Sequence, residues 1–476
     1  MTQDRPNIIL IMCDDLGYGD TGFNGHPIIA TPHLDALRNE GIRFTRFFAG
    51  GPVCSPTRGT CLTGRHYARY GITHANVGHL PQQELTLARL TKGLGYTTGH
   101  FGKWHLGTLD RSYSGKSNRN PASNFAPPWE RDYDVSFATE YAVPTWDPGR
   151  HFDGHSLART DEPWSSPYYA NGKKVEEMLL GCDSAHIVDR AVPFIRNAVG
   201  QNRPFFTTIW FHAPHGPVEA GPEFLAMYPD CAPDEAHYYG VVTAMDRQVG
   251  RINQLVKDLG VENNTMIWFC SDNGPEGDTD LSANRRYRGS TGGLRGRKRS
   301  LFNGGIGVPA LVKWPGIAPP GAELTAPCST LDYFPTIAAA LAHQMPDERP
   351  LDGLDLMPLL RAQLDTRPVP IPYRFLATKD SMFGAPTLAL LDNQFKFLTN
   401  LSAQGAEDLL FDLDADRAET TNIIAHNRHR AQQMRQFLSD FMASCRKSHL
   451  GSDYPQPHEP IGDFQEITGT WSAKRS

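Results

Sequence analysis

Short, continuously apolar runs alternate with amphipathic segments over the first two thirds of the chain. Such runs are typical of strands buried on both faces of a sheet, and they are predicted at 8–12, 44–48, 96–101, 204–211, 265–271 and 308–314. Helices are predicted between them at 31–41, 85–92, 185–198 and 238–259. This alternation indicates an α/β fold with a large, mainly parallel sheet flanked by helices.

The pattern changes after residue 360. A proline-rich stretch at 367–372 has the composition of a linker, and strand-like runs at 387–391 and 395–398 flank a predicted turn. A further helix is predicted at 427–442. We therefore predict a large N-terminal domain at 1–365 and a smaller C-terminal α+β subdomain, with an antiparallel sheet, at 366–476.

Two long polar stretches, 110–129 and 145–174, interrupt the apolar pattern. Loops of this length within a compact domain usually carry function, so we expect them to shape a substrate site. Aromatic residues in and near them could stack on sugar rings, although core packing is the default role for any one of them. The candidates are Trp129, Tyr141, Trp146 and Trp164.

Composition narrows the function classes. The 476 residues are 39% hydrophobic and 21% charged, which is ordinary for a soluble protein, and the net charge of −6 gives no general attraction to nucleic acid or anionic membranes. No apolar run near the start is long enough to span a bilayer, and no leader pattern opens the chain. Both a cytoplasmic location and a periplasmic or secreted one after leader removal stay open.

Eight scattered cysteines without a CxxC pair predict buried thiols more than a disulfide framework.

Acidic and amide side chains follow two of the predicted strands. Asp14 and Asp15 end the first strand, and Asp272 and Asn273 end another. Sites in open α/β sheets gather at the carboxyl ends of strands, and these hard oxygen donors favour Ca²⁺ or Mg²⁺ over Zn²⁺. Each pair alone also fits a turn or a helix cap.

Basic and imidazole side chains follow other strands. Lys103 and His105, two residues apart in extended chain, are predicted to point the same way and could serve an anionic centre and a proton transfer. Of the two histidines around Pro214, His215 is the candidate site residue and His212 the structural one. The basic run at 294–299, which contains Lys298, fits a solvated face, a nucleic-acid patch or a funnel for a polyanionic substrate, and no nucleic-acid motif accompanies it.

The segment 54–65 is the most specific motif of the chain. It has Cys54, Pro56 at +2 and Arg58 at +4, and it ends in Leu-Thr-Gly-Arg. Pro56 suits the first turn of a helix that starts near Cys54, which places Arg58 one turn further on the same face. Together with the five other segments described above, taken in chain order, the motif resembles type I sulfatases of the alkaline phosphatase superfamily, in which this cysteine is oxidised to formylglycine.

The resemblance implies an alkaline phosphatase-like fold and a set of site residues. Asp14, Asp15, Asp272 and Asn273 should hold a divalent ion, Ca²⁺ rather than Mg²⁺, together with the modified Cys54. Arg58 and Lys103 should stabilise the hydrated aldehyde, and His105 should act on it as a base. His215 and Lys298 should bind the sulfate and help to protonate the leaving oxygen. Two positions depart from the family pattern, Asn303 where Glu is usual and Gly307 where Arg is usual.

The implied activity is sulfate-ester hydrolysis on a sulfated sugar or polysaccharide, and galactose or N-acetylgalactosamine sulfate is the expected unit. The implied partner is a formylglycine-generating enzyme or an anaerobic sulfatase-maturating enzyme, with no nucleic acid and no membrane. Three alternatives stay open from the sequence: a phosphonate monoester or phosphodiester hydrolase of the same superfamily, a non-catalytic carbohydrate-binding relative, and a thiol-redox protein that uses Cys54 and Cys61.

Overall fold

The computed structural model describes residues 5–117, 119–152, 159–277, 286–376, 386–400, 408–455, 457–459, 461 and 464. Its strands are β1 Asn7–Asp14, β2 Ile42–Phe44, β3 Phe47–Phe48, β4 Thr97–Lys103, β5 Val135–Thr139, β6 Arg150–Phe152, β7 Arg159–Pro163, β8 Tyr169–Ala170, β9 Lys173–Lys174, β10 Phe205–Pro214, β11 Thr265–Ser271, β12 Ala310–Lys313, β13 Ala322–Leu324, β14 Cys328–Ser329, β15 Ile371–Arg374, β16 Leu388–Asp392, β17 Phe395–Thr399 and β18 Leu409–Asp412. Its α-helices are α1 Pro32–Glu40, α2 Cys54–Thr63, α3 Leu87–Gly93, α4 Asp183–Gly200, α5 Pro222–Leu225, α6 Pro233–Asp258, α7 Asn303–Ile306, α8 Tyr333–Ala340, α9 Met357–Leu360 and α10 Arg428–His449. None of the described helices is both long and apolar enough to cross a membrane.

A ten-stranded sheet in the order β13-β2-β12-β11-β1-β10-β4-β5-β8-β9 organises the larger part of the chain. The five central strands from β11 to β5 are parallel, while β12 pairs antiparallel with β11 and β8 antiparallel with β5. Alternate residues of β1 point to opposite faces, so that Ile8 and Leu10 enter one core cluster while Ile9 and Ile11 enter the other. Helices cover both faces, and the predicted α/β class is confirmed.

The parallel pairing brings four strand ends to one edge of the sheet. Strands β4, β10, β1 and β11 are consecutive neighbours that run in the same direction. Their carboxyl ends are therefore adjacent, which is where open α/β sheets place ligands. The candidate residues that follow these strands meet there for this reason.

A separate antiparallel sheet, β15-β16-β17-β18, forms the smaller C-terminal unit. Helix α10 packs on one face through Met434 and Leu438, which contact the apolar side chains of β16 and β17. The other face shares a core cluster with Phe48, Val53 and Ile306 of the larger unit. The predicted C-terminal antiparallel sheet is confirmed, whereas the boundary between 365 and 366 stays a prediction.

Asn303, one of the two departures from the family pattern, lies at the contact between these units. Its backbone N–H donates to Glu419 at 2.6 Å, and its side-chain oxygen accepts from Lys396 at 2.8 Å. Lys396 in turn pairs with Glu419 at 2.8 Å, and all three side chains are buried. The residue therefore belongs to a buried polar network that holds the C-terminal sheet.

Two local predictions were wrong. The segment 44–48 is not one strand but parts of two, because β2 joins the large sheet and β3 pairs with β14. The stretch 367–372 is not an exposed linker, since Arg367 is buried against Asp332 and Ile371 begins β15. The sequence pattern also missed β5, which extends the parallel part of the sheet, and the long loop at 145–174 contains strands of its own.

Candidate active site

Helix α2 begins at Cys54 and places it at the edge of the sheet. Every residue of this helix is buried, and Pro56 lies in its first turn as predicted. The thiol of Cys54 donates to Asp14 at 3.4 Å. Burial, with the negative charge of Asp14 adding to it, raises the pKa of the Cys54 thiol, which is therefore neutral and a weak nucleophile.

Four potential metal ligands cluster beside the helix start. Side-chain atoms of Asp14, Asp15, Cys54 and Asp272 lie within 4.8 Å of one another, and all four residues are buried. Asn273 joins them because its Nδ2 donates to Asp15 at 2.7 Å. Its Oδ1 is buried and has no hydrogen-bond partner within the described ranges.

Each carboxylate of the cluster is matched by one buried cation. Lys103 Nζ lies 2.5 Å from Asp14 Oδ2. Arg58 Nη2 lies 2.7 Å from Asp272 Oδ2, and Lys298 Nζ lies 2.6 Å from Asp15 Oδ1. The three buried cations thus surround the carboxylates and offset part of their negative charge.

The pKa values reflect this crowding. Burial would raise the pKa of Asp14, but Lys103, His215 and Arg58 outweigh it and hold the pKa well below its ordinary value. Burial and the neighbouring Asp14 raise the pKa of Asp272 to about 7. The buried cations of the site therefore do not fully offset the repulsion between its closely spaced carboxylates.

The donor set fits a divalent cation. Three carboxylates and an amide oxygen are hard ligands of the kind that Ca²⁺ and Mg²⁺ prefer. The orphaned Oδ1 of Asn273 is an acceptor whose desolvation is unfavourable unless a proton donor or a cation meets it. The like-charged carboxylates would also be stabilised by added positive charge.

Two histidines border the cluster. His105 is buried, and its Nε2 lies 2.6 Å from Oδ1 of Asn76. His215 places Nε2 at 3.7 Å from Asp15. Burial lowers the pKa of both rings, with Lys103 adding to the effect in each case. Both are therefore neutral near pH 7.

His212 occupies a different environment. It lies within β10, is fully buried, and contacts Asp183 at 2.9 Å and Thr139 at 2.7 Å. These contacts support the structural role expected from its position near the strand. His215, beyond the end of the strand, is the histidine of this pair that reaches the pocket.

A pocket of about 380 Å³ opens above the cluster. Its lining includes Cys54, Asn76, His105, Tyr141, His215, Glu276, Lys298 and Arg299. The ring of Tyr141 is edge-on to both histidines, with centroid distances of 5.7 Å to His105 and 6.5 Å to His215. An anionic group that enters this pocket would meet two imidazoles, a lysine and the start of a helix.

Sequence reasoning did not assign several of the lining residues to the site, among them Asn76, Glu276 and Arg299. Asn76 lies in a loop without any periodic pattern. Glu276 lies shortly after Asp272 and Asn273, and at the pocket wall it forms an ion pair with two contacts to Arg299, the last residue of the basic run. The positions of Glu276 and Arg299 at those motifs were the only signal available.

The structure refines two broader predictions. Of the four candidate aromatics, only Tyr141 lines the pocket above Cys54; Trp164 lines a separate cavity of about 460 Å³, and Trp129 packs against Tyr169. The basic run is divided between two environments. Lys298 and Arg299 line the pocket above Cys54, whereas Arg295 stacks on Phe302 and Arg297 donates to backbone carbonyls.

Lys103 and His105 both reach the site, but not by strand alternation. Strand β4 ends at Lys103, and His105 has a φ of 58° in the left-handed region. The chain therefore turns between them. Lys103 therefore belongs to the strand, whereas His105 belongs to the turn that follows it.

The site thus combines a neutral thiol at a helix start, three paired carboxylates and two neutral histidines under one pocket. Residues 6–343 match the family model described as Sulfatase. Steryl-sulfatase of Rattus norvegicus is 32% identical over 416 residues, covering 75% of this chain and 70% of the relative. N-acetylgalactosamine-6-sulfatase of Sus scrofa is 32% identical over 384 residues, covering 76% and 68%.

A solved structure agrees with these relatives. The crystal structure of Ps i-CgsB in complex with k-i-k-neocarrahexaose has a TM-score of 0.78 at 28% identity, covering 93% of this chain and 94% of that chain. The chain belongs to the sulfatase family, as a type I member of the alkaline phosphatase superfamily. Its reaction class is sulfuric ester hydrolysis.

Proposed function

We propose that this sulfatase hydrolyses O-sulfate esters of carbohydrates and uses Cys54, converted to formylglycine, as its nucleophile. The observation that carries the proposal is the position of Cys54, at a helix start, in contact with Asp14 and under the pocket. The carbohydrate assignment is supported by similar proteins, which include N-acetylgalactosamine-6-sulfatase and a structure bound to k-i-k-neocarrahexaose. Galactose or N-acetylgalactosamine sulfate is the substrate we infer.

Asp14, Asp15, Asp272 and Asn273 would hold Ca²⁺ next to the modified Cys54. The ion would supply positive charge that acidifies the attacking hydroxyl and stabilises negative charge on sulfate oxygens. The hydrated aldehyde of formylglycine would have two hydroxyls on one carbon. One of them would be the oxygen nucleophile, and the other would remain on that carbon. Formation of the formylglycine requires a formylglycine-generating or anaerobic sulfatase-maturating enzyme as partner.

The other residues act on charge and protons. Lys298 and His215 face the pocket beside Asp15, so they would bind the sulfate. The negative charge of the bound sulfate would favour protonation of His215, which with Lys298 would then help to protonate the departing ester oxygen. Lys103 and Arg58, held by Asp14 and Asp272, would keep the nucleophile oriented. His105 would remove the proton from the second hydroxyl, a role that its neutral ring permits.

The substrate class can be tested with a matched panel. We expect the mature enzyme to release inorganic sulfate from galactose and N-acetylgalactosamine sulfates, measured by ion chromatography. An aryl phosphate diester should react at least about 100-fold more slowly in kcat/KM, a transition-state difference of about 2.7 kcal/mol. A preference for the diester would contradict the sulfatase assignment in favour of the phosphonate or phosphodiester alternative.

Metal removal gives a second test. After exhaustive chelation we expect activity to vanish and to return with added Ca²⁺ more fully than with Mg²⁺. At a Ca²⁺ concentration 100 times its Kd, the ion should also stabilise the fold by about 2.7 kcal/mol, measured by urea unfolding. Full activity and unchanged stability in the chelated protein would refute the metal site.

A further inference from the structure

Asn76 contacts one nitrogen of the buried His105 ring. Its Oδ1 lies 2.6 Å from Nε2, and His105 is only 2% exposed. The other nitrogen, Nδ1, is buried and has no hydrogen-bond partner in the described part of the chain. A neutral imidazole carries one N–H, so the contact with Asn76 decides which nitrogen holds the proton.

Arg119 fixes the two segments that bring Asn76 and His105 together. Its Nε donates to the carbonyl of Gly78 at 2.9 Å, two residues beyond Asn76. Its Nη2 donates to the carbonyl of His105 at 3.0 Å and to Ser55 Oγ at 3.2 Å. One buried guanidinium therefore ties the loop of Asn76, the turn of His105 and the start of helix α2 into a single unit.

The local backbone is also specialised. Asn76 has a φ of 63° and His105 a φ of 58°, both in the left-handed region. Asparagine and histidine adopt this region more readily than most residues, whereas a β-branched side chain would be strained there. The left-handed backbone conformation of Asn76 thus occurs at the residue whose side chain contacts the imidazole of His105.

We propose that Asn76 is a positioning residue that accepts the Nε2–H of His105 and so keeps Nδ1 as the proton-accepting atom of the ring. Asn76 acts through His105, as partners of metal-binding or catalytic histidines commonly do. The inference rests on the proposed role of His105 as a base. Asn76 would be the residue that selects the His105 tautomer in which Nδ1 can accept a proton.

Nitrogen-15 NMR of histidine-labelled, mature enzyme tests the tautomer without any assay of activity. The His105 signals are assigned by their absence in His105→Gln. We expect a pyrrole-type Nε2 and a pyridine-type Nδ1 in the wild type. A pyrrole-type Nδ1 would overturn the proposal, whether or not the protein hydrolyses any sulfate ester.

Two substitutions at Asn76 separate the hydrogen bond from the fold. Asn76→Gly removes the acceptor and tolerates the positive φ, so we expect mixed tautomers and a kcat about 10- to 100-fold lower. Asn76→Asp keeps an acceptor and should restore the wild-type tautomer and most of kcat. Its added negative charge should raise KM for the anionic substrate.

A matched asparagine–histidine pair provides the control. Asn124 Oδ1 lies 3.3 Å from Nδ1 of His79, and neither residue lines the pocket above Cys54. Asn124→Ala should leave the His105 signals and kcat unchanged. Unchanged His105 signals in Asn76→Gly, or an unchanged kcat despite an altered tautomer, would overturn the positioning role.

Discussion

Cys54→Ser is expected to abolish multiple turnover, with kcat lower by about 10⁴-fold or more, the scale of losing a nucleophile. A serine oxygen at this position remains beside Asp14 and under the pocket, so it could still attack sulfur once. The resulting serine sulfate has no second hydroxyl on its carbon and should persist. Incubation with substrate followed by mass spectrometry should reveal one sulfate on the tryptic peptide 47–58.

Cys61→Ala is the matched control for this experiment. Cys61 lies on the same helix, fully buried, seven residues and hence about 10 Å further along the axis. That separation exceeds the reach of a disulfide, which argues against a redox pair with Cys54. The control should keep its turnover. Steady turnover by Cys54→Ser, or loss of turnover in Cys61→Ala alone, would contradict the assigned nucleophile.

Asp14→Asn is expected to have the second-largest effect, because it removes a charge with several roles. The carboxylate pairs with Lys103 at 2.5 Å, lies 3.9 Å from Arg58 and accepts from Cys54. Its neutralisation leaves Lys103 as a buried charge without its closest partner, which typically costs about 3 kcal/mol of folding free energy. We also expect kcat/KM to fall by about 10³-fold as Ca²⁺ affinity is lost.

Calorimetric Ca²⁺ titration and urea unfolding measure these two consequences separately. Asp246→Asn is a suitable control, since Asp246 is a buried carboxylate outside the cluster that accepts the backbone N–H groups of His33 and Leu34. The Asp246→Asn variant should bind Ca²⁺ with wild-type affinity even if its free energy of unfolding changes. Wild-type Ca²⁺ affinity and turnover in Asp14→Asn would show that the cluster is not the metal site.

Part of the site could be predicted because of where polar residues interrupt apolar runs. Asp14 and Asp272 follow strands that are continuous apolar runs, and parallel strands end at one edge of a sheet. The sequence therefore indicated that distant residues meet. Asn76 gave no such signal, because its contact with His105 depends on two left-handed backbone positions and on Arg119.

The errors in the fold have a common origin in tertiary pairing. Strands β3 and β14 are only two residues long and exist because they pair with each other. Pro372 gave the 367–372 segment the composition of a linker, yet it lies in β15, an edge strand, where a missing N–H is tolerated. Local composition does not distinguish these cases, since the deciding contacts come from remote segments.

The chemical state of residue 54 in active enzyme tests the central claim most directly. Tryptic peptide 47–58 contains Cys54 as its single cysteine, so its intact mass and its reaction with a hydrazide report that state. We expect catalytically competent protein to carry an aldehyde there, with sulfur lost and oxygen gained, in proportion to its activity. Full sulfatase activity in protein whose peptide retains the thiol throughout would contradict the account.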